Sequence, residues 1–294
     1  MQLIEPKFEI IEQLPGMEGM YKQIELAGRT CYKSEDKITE DSAKGFVERM
    51  IQSGHGAMLE HGTVYLTIPG EHEPDEWGRA DVFINYKGSN RYNKYSKVVV
   101  EYWEQEPVGT QCEFCKKIPR SRLHITTNLR VLVENDWLDD LQFICEPTEY
   151  HEKRITVRYT SDIHFYKDTT RHRVFSWAIE STRFCNYLKE KFGASISFLI
   201  PCWLKEEEEL EFEEDLRTIE SIYFKWINKG WQAQQAAYFL IQGTKAEIIM
   251  TGFVSDYKHF FDLRSELATT GKPHPTVVEL VEPLRQEFIK RNLV

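Results

Sequence analysis

The segment RHRVFSWAIES contains side chains that could bind anions, because Arg171, His172 and Arg173 are adjacent and Ser181 ends the segment. Two guanidinium charges this close repel each other unless a negative group lies between them. Guanidinium groups bind phosphate oxygens in pairs, and a hydroxyl adds a further donor. The segment therefore predicts a site for phosphorylated ligands.

Two more polar residues, Thr182 and Arg183, extend this basic segment. An alternative stays open, in which the arginines pair with surface carboxylates, because the chain has 47 Asp and Glu against 37 Lys and Arg. Ser181 lacks the Gly-x-Ser-x-Gly setting of a hydrolase nucleophile. We therefore interpret Ser181 as a hydrogen-bond donor.

A second cluster, HGAMLEH, contains His55, Glu60 and His61. A helical zinc-protease site needs two histidines four residues apart with a glutamate beside the first, and this spacing is not met. We therefore predict no metal site there. The simpler alternative is a helix–strand corner in which these polar side chains hydrogen-bond the nearby backbone.

Six scattered cysteines are too few for a disulfide framework in a chain of 294 residues and are typical of reduced thiols. Cys112 and Cys115 form a Cys-x-x-Cys pair, but the second pair that a zinc ribbon needs is missing. The formal net charge of −10 gives no general attraction for nucleic acid or an anionic membrane. With no signal-peptide pattern and no long apolar run, we expect a cytoplasmic protein.

The elements that must position these clusters follow from the periodicity of the chain. MEGMYKQIELAGRTCY is typical of a helix, and a second helix is expected to end at Gly54. TVYLTI and RITVRYTSD alternate as strands, one after the histidine cluster and one before the arginine segment. From Phe175 onward the arginine segment also alternates, which favours a strand without excluding a helix.

Later segments continue this mixture. SISFLIP and KAEIIMT predict strands, and helices are predicted for TTNLRVLVENDWLDDLQFI, for the residues around Leu216 and Tyr223, for WQAQQAAYFLI, for SDYKHFFDLR and after GKPHP. Helices and strands without regular alternation predict the α+β class. Turn-rich sequence with no flanking linker predicts one domain, residues 1–294, with an insertion at about 70–160.

Four motifs in order resemble the flavin-dependent thymidylate synthases. Arg-His-Arg, seven residues and then Ser is the signature of that family, and RHRVFSWAIES matches it in full. HGAMLEHG is similar to the family's upstream His-x-x-x-x-Glu-His segment, STRF to its Ser-x-Arg-Tyr continuation, and HFFDLR to its last helix. The resemblance covers roughly residues 17–60 and 155–285.

This resemblance implies a fold and a function. The fold would be a mixed α/β domain with a central, mostly antiparallel sheet flanked by helices. The activity would be a methyltransferase reaction that converts dUMP to dTMP, with methylenetetrahydrofolate as the one-carbon donor and with FAD reduced by NADPH. It also implies a homotetramer with shared active sites, and neither a nucleic-acid nor a membrane partner is expected.

The resemblance also assigns roles to residues of this chain, one motif position at a time. Arg264 would be the catalytic residue and would face the uracil of dUMP. The residues expected to bind FAD are His55, Glu60, Arg171, His172, Arg173 and His259. The residues expected to bind dUMP are Glu180, Ser181, Thr182, Arg183 and Arg264.

At several positions this chain differs from the family pattern. Ala178 and Ile179 stand where the family has Asn-Glu, Ala237 where it has a phosphate-binding arginine, and Phe253 and Ser255 where Asn and Arg contact the flavin. These differences motivate an alternative, a divergent member that binds flavin or nucleotide without turnover. The sequence leaves open whether they abolish activity, what the insertion does and which reductant acts.

Overall fold

A computed structural model describes residues 1–69, 95–105, 118–189, 193–269 and 271–294. These residues form two compact units. Within the described ranges, no helix is both long enough and apolar enough to span a bilayer. The expectation of one domain with an insertion stays a prediction.

The first unit comprises residues 1–12, 25–42 and 155–294. Its strands are β1 (Gln2–Ile4), β2 (Lys7–Ile11), β6 (Arg154–Asp162, whose first residue is counted with the second unit), β7 (Ser176–Ile179), β8 (Ser197–Leu199) and β9 (Lys245–Phe253). Its helices are the second part of α1 (Gly16–Tyr32), α5 (Ile163–Thr169), α6 (Glu209–Asn228), the short α7 (Ala233–Ala236), α8 (Val254–Arg264) and α9 (Pro275–Lys290).

The main sheet of this unit has the strand order β2-β6-β9-β7. β2 runs antiparallel to β6, and β7 runs antiparallel to β9 with Ser176 opposite Thr251 and Ile179 opposite Ile248. β1 and β8 form a separate parallel pair. Every residue of β9 is buried, which fits its central position in the sheet.

The core of the first unit is built from aromatic and aliphatic side chains of the main sheet and of α8 and α9. α9 begins at a proline, which favours a first helical turn because no backbone N–H is lost there. Phe175, just before β7, packs edge-on against Tyr257 and Phe260 of α8, with ring centroids 4.9 and 5.6 Å away. These contacts hold the start of β7 against α8.

The second unit comprises residues 13–24 and 43–154. Its described elements are the first part of α1, α2 (Ser42–Gln52), α3 (Gly56–Leu59), β3 (Thr63–Pro69), β4 (Lys97–Gln105), β5 (Ile118–Asn128) and α4 (Leu129–Glu134). Both pairings in the sheet β3-β5-β4 are antiparallel. Together the two units confirm the α+β class and the mostly antiparallel pairing.

Most predicted elements are confirmed, and two predicted helices are largely wrong. Thr126 and Thr127 belong to β5, because Asn128 accepts a hydrogen bond from the Val131 N–H and starts α4 only after that strand. WQAQQAAYFLI forms only one α-helical turn, Ala233–Ala236, followed by a 3-10 turn. Trp231 of this segment packs against Trp226 of α6, with the two ring centroids 4.4 Å apart.

One glycine of β9 is required by close packing. A Cβ atom on Gly252 would lie 2.2 Å from Cδ1 of Phe175, whose side chain is only 2% exposed. We expect Gly252→Ala to lower the free energy of unfolding by about 1–3 kcal/mol, because the buried ring has no room to move. Urea unfolding followed by tryptophan fluorescence measures this change.

The matched control is Gly243→Ala, whose added Cβ would find its nearest neighbour, Cδ1 of Ile241, 4.0 Å away. We expect this control to change the free energy of unfolding by less than about 0.5 kcal/mol. Equal stability of the two variants would contradict the close packing of Gly252 on Phe175.

Candidate functional site

The Arg-His-Arg segment lies in the turn between α5 and β7, and its three side chains differ in exposure. Arg171 and Arg173 are exposed, whereas His172 is buried. The backbone places the imidazole inward, because the His172 N–H donates to the carbonyl of Thr169 at 3.0 Å and its own carbonyl accepts from Nε1 of Trp177 at 3.3 Å. Arg171 and Arg173 are therefore exposed to solvent on either side of a buried histidine.

Arg264, at the end of α8, contacts both the turn and α5. Its Nε donates to Nε2 of His172 at 3.1 Å, its Nη1 to Oδ2 of Asp168 at 2.9 Å, and its Nη2 to the carbonyl of Asp168 at 3.0 Å. Three nitrogens of the guanidinium group thus have fixed partners, which sets its plane. Because Nε2 of His172 accepts a hydrogen bond, the remaining ring proton of a neutral imidazole is on Nδ1.

The charges around His172 favour this neutral form. The pKa of His172 is lowered to about 4, first by burial and then by the nearby Arg264 and His259, while Asp168 acts in the opposite direction. His259 is exposed, with its ring centroid 6.0 Å from that of His172. The structure thus brings together Arg171, His172, His259 and Arg264 from the predicted site residues.

Residues 181–183 form a turn directly after β7. The Ser181 N–H donates to the carbonyl of Cys31 at 2.9 Å, and its carbonyl accepts from the N–H of Cys185 at 3.1 Å. Arg183 is exposed, and its Nε donates to Oε1 of Gln234 at 3.1 Å. The described hydrogen-bond partner of Arg183 is therefore a neutral amide, which leaves its charge available to an anion.

Glu180 points into a different environment, because it alternates with Ser181 along the extended chain. Its carboxylate is buried and accepts from Nζ of Lys245 at 2.9 Å, from the N–H of Glu247 at 3.1 Å and from the hydroxyl of Tyr187 at 3.3 Å. Nζ of Lys33 lies 3.6 Å from Oε2 of Glu180, the oxygen that also accepts from Lys245. Glu180 is thus the centre of a buried charge cluster. None of its described partners is one of the other residues that were predicted to bind dUMP.

The cluster continues along β9 to β6. Oε1 of Glu247 lies 2.8 Å from Nζ of Lys245, and its Oε2 accepts from Nε of Arg158 at 3.1 Å. Burial lowers the pKa of Lys245, but Glu180 and Glu247 outweigh it, so the net pKa is raised. Burial would raise the pKa of Glu247, but Lys245 and Arg158 outweigh that effect, so the net pKa is lowered.

Sequence reasoning missed these residues as part of a site. For Lys245 and Glu247 a signal was present, because two charged residues alternate with apolar ones in the otherwise apolar strand segment KAEIIMT. For Lys33 no sequence signal was available, since it follows α1 and lies far along the chain from Glu180.

In the second unit, His55 is exposed and immediately precedes α3, and Glu60 follows α3. The carboxylate of Glu60 is buried and forms an ion pair with Nη1 of Arg130, while its carbonyl accepts from Nη1 of Arg154 at 3.0 Å. The side chain of Glu60 therefore has an arginine partner rather than the backbone partner that the simpler alternative proposed.

Two places in the sequence contain residue types that bind metals, HGAMLEH and the pair Cys112 and Cys115. No group of three or more His, Cys, Asp or Glu side chains that could hold a metal ion occurs within the described ranges. Cys112 and Cys115 lie outside those ranges, so the expectation that they bind no metal stays a prediction.

The neutral state of His172 is testable by NMR titration of its imidazole C–H signals. We expect Arg264→Met to raise the pKa of His172, because a nearby positive charge is removed, and Asp168→Asn to lower it. Protonation of His172 disfavours the fold, because its folded pKa of about 4 is below the usual value of about 6.5. This contribution to stability is complete above about pH 6.5 and is lost as the pH falls toward 4.

Arg285→Met is the control for the titration, because Arg285 pairs with Glu282 on α9. Its His172 signal should follow the wild-type curve. A wild-type midpoint near 6.5, or an identical curve for Arg264→Met, would show that Arg264 does not set the state of His172.

The importance of Glu180 is testable by Glu180→Gln. We expect this variant to lose about 3 kcal/mol of stability in urea unfolding, because two amines then face a neutral amide in a buried place. Glu35→Gln is a matched control, since Glu35 lies 3.5 Å from Arg158 and is 30% exposed. Its loss should stay under about 1 kcal/mol, and similar losses for both variants would contradict the central place of Glu180.

Comparisons with known proteins bear on the same part of the chain. Residues 146–282 match the model of the Thy1 family, described as thymidylate synthase complementing protein. A flavin-dependent thymidylate synthase of Pyrococcus furiosus is 31% identical over 96 residues, which cover 32% of this chain and 38% of that relative. The match therefore spans well under half of the relative's length.

Among solved structures, a UMP/dUMP methylase PolB from Streptomyces cacaoi bound with 5-Br dUMP covers 99% of this chain and 93% of its own, with a TM-score of 0.42 and 13% identity. The same methylase bound with 5-Br UMP has a TM-score of 0.43 and 12% identity, and the coverage is 98% and 91%. The resemblance therefore depends on the sequence matches. Residues 146–282 match the thymidylate synthase complementing protein family, and the resemblance of this chain to the flavin-dependent thymidylate synthases is confirmed.

Proposed function

We propose that this protein is a flavin-dependent thymidylate synthase that methylates dUMP to dTMP, with methylenetetrahydrofolate as the one-carbon donor and NADPH as the reductant of FAD. One observation carries the proposal: the family match over residues 146–282 contains the solvent-facing guanidinium groups of Arg171, Arg173 and Arg183. An acidic protein that binds two phosphorylated ligands needs such a local concentration of positive charge.

The exposure of Arg171 supports a role for this residue in binding FAD. Arg171 is 75% exposed and its closest described carboxylate, on Asp168, is 3.7 Å away. Such an exposed pair is worth at most about 1 kcal/mol, so a phosphate group can replace it at little cost. In the proposal the FAD-binding residues of the first unit are Arg171, His172, Arg173 and His259. His55 and Glu60 are the FAD-binding residues proposed in the second unit, and bound FAD supplies the hydride chemistry.

The turn after β7 fits the phosphate of dUMP. Ser181 and Thr182 carry hydroxyl donors, and Arg183 adds a charge whose described hydrogen-bond partner is neutral. In the proposal these three residues bind the phosphate and Glu180 completes the dUMP set. Since the Glu180 carboxylate is held by Lys245, we expect its role to be the support of the turn rather than direct contact.

Arg264 has the properties that the reaction requires of a catalytic residue. Methylation at C5 of uracil needs electron density in the ring, and a guanidinium group beside the ring stabilises its anionic form. Asp168 and His172 already fix the Arg264 guanidinium, so little reorganisation is needed when charge develops. The mechanism demands no protein nucleophile, which agrees with the interpretation of Ser181 as a donor.

The alternative function is binding of flavin or nucleotide without turnover. It is favoured by Phe253, which is 1% exposed and offers no polar side-chain group where family members contact the flavin. Ala237 likewise offers no charge where the family has an arginine. The homotetramer with shared active sites and the cytoplasmic location stay predictions.

The test is a direct assay of dTMP. Purified protein with FAD bound is incubated anaerobically with dUMP, methylenetetrahydrofolate and NADPH, and the products are separated by chromatography. We expect dTMP from the wild type and a kcat about 10²-fold lower for Arg264→Lys, because lysine cannot reproduce the guanidinium geometry. Arg291→Lys, on an exposed arginine paired with Glu287, should keep wild-type activity.

One outcome would reject the synthase, and another would reject the role of Arg264. Absence of dTMP with FAD bound would exclude turnover, and calorimetry with FAD and dUMP would then show whether the alternative holds. Equal activity of Arg264→Lys and Arg291→Lys would remove Arg264 from catalysis.

A further inference from the structure

A cavity of about 220 Å³ opens beside the buried charge cluster of the first unit. One water needs about 10–15 Å³ of such space, so the cavity has room for a polyatomic ligand. Its lining includes Lys33, Lys245, Ser195, Ser197 and Gln2, whose side chains carry amine, hydroxyl and amide groups. Residues that carry hydrogen-bond donors thus line much of the space.

The charges of the lining favour an anion. Glu180 and Tyr187 also line the cavity, so the ionised lining groups are two lysines and one glutamate. The Glu180 carboxylate already accepts from Lys245, from the Glu247 N–H and from Tyr187, so it has little capacity left to bind a cation. The net charge of the lining is therefore positive in a chain whose overall charge is −10.

Lys33 is the amine with the weaker partner. Lys245 lies 2.9 Å from Glu180 and 2.8 Å from Glu247, whereas Nζ of Lys33 lies 3.6 Å from the Glu180 oxygen that Lys245 already uses. The side chain of Lys33 is 28% exposed, so a solute can reach it. A bound anion would give this ammonium group a partner of its own.

We propose that this cavity binds a small oxyanion, a phosphate or carboxylate group, through the ammonium group of Lys33 with Ser195 and Ser197 as hydroxyl donors. The amide of Gln2 is a further donor, and the nearby charge of Lys245 strengthens the attraction. This proposal does not depend on the synthase activity.

The pKa of Lys33 gives a further way to detect a bound anion. Burial lowers its pKa and Lys245 lowers it further, while Glu180 and Glu247 act against this shift. Tyr187 stays neutral, since burial and then Glu180 raise its pKa. A bound anion stabilises the charged ammonium group, so we expect it to raise the pKa of Lys33. As the pH rises, Lys33 loses its proton at a lower pH than an ordinary lysine does. We therefore expect the affinity for acetate to fall at that lower pH.

The test is isothermal titration calorimetry of the full chain with inorganic phosphate and, separately, with acetate at constant ionic strength. We expect saturable binding of at least one ion and an affinity at least tenfold weaker in Lys33→Met. Ser195→Ala combined with Ser197→Ala should also weaken binding and leaves the charge cluster intact. Lys290→Met, on an exposed lysine of α9, is the matched control and should bind as the wild type does.

Three results would overturn the proposal: no saturable binding of either ion, equal affinities of Lys33→Met and Lys290→Met, or loss of binding only in Arg183→Ala. The last result would place the ion at the turn after β7.

Competition by dUMP, with deoxyuridine as the phosphate-free comparison, identifies the source of the bound oxyanion. Competition supports the oxyanion site with a nucleotide phosphate as its ligand, and saturable binding without competition supports it with a free anion.

Discussion

The antiparallel pairing of β7 with β9 is the constraint on which both parts of the candidate site depend. Its register places Ser176 opposite Thr251 and Ile179 opposite Ile248. A slip by one residue would turn every side chain of β7 to the other face of the sheet. Glu180 would then lose Lys245 and Glu247, and the turn that carries His172 would no longer meet α8.

The two ends of this strand pair use charge in different ways. At the start of β7, Arg264 is oriented by Asp168 and His172, and the imidazole stays neutral because burial and two neighbouring basic groups disfavour its proton. At the end of β7, the carboxylate of Glu180 is buried among amines. Fixed charges with several partners keep their geometry better than isolated pairs, which is the property a binding site needs.

Much of the fold could be predicted from local sequence, and the exceptions have identifiable causes. The long helix containing Leu216 and Tyr223 and the strand KAEIIMT have strong periodicity, and both are confirmed. The local sequence predicts a helix over the whole of TTNLRVLVENDWLDDLQFI, because its apolar spacing does not separate a helix from a strand at its start. Pairing with β3 and β4 keeps Thr126 and Thr127 in β5. For the candidate site, residue types indicated anion binding, but not which side chains share an environment.

The sequence by itself determined that this acidic chain concentrates arginines at residues 171–183, that its class is α+β and that its motifs resemble one enzyme family. Only the tertiary structure decided that Arg171 and Arg173 face solvent while His172 is buried against Arg264, and that Glu180 pairs with Lys33 and Lys245. The physical reason is that charge type is a local property of a residue. Burial, pKa and hydrogen-bond partners arise from groups that the fold brings together from distant parts of the chain.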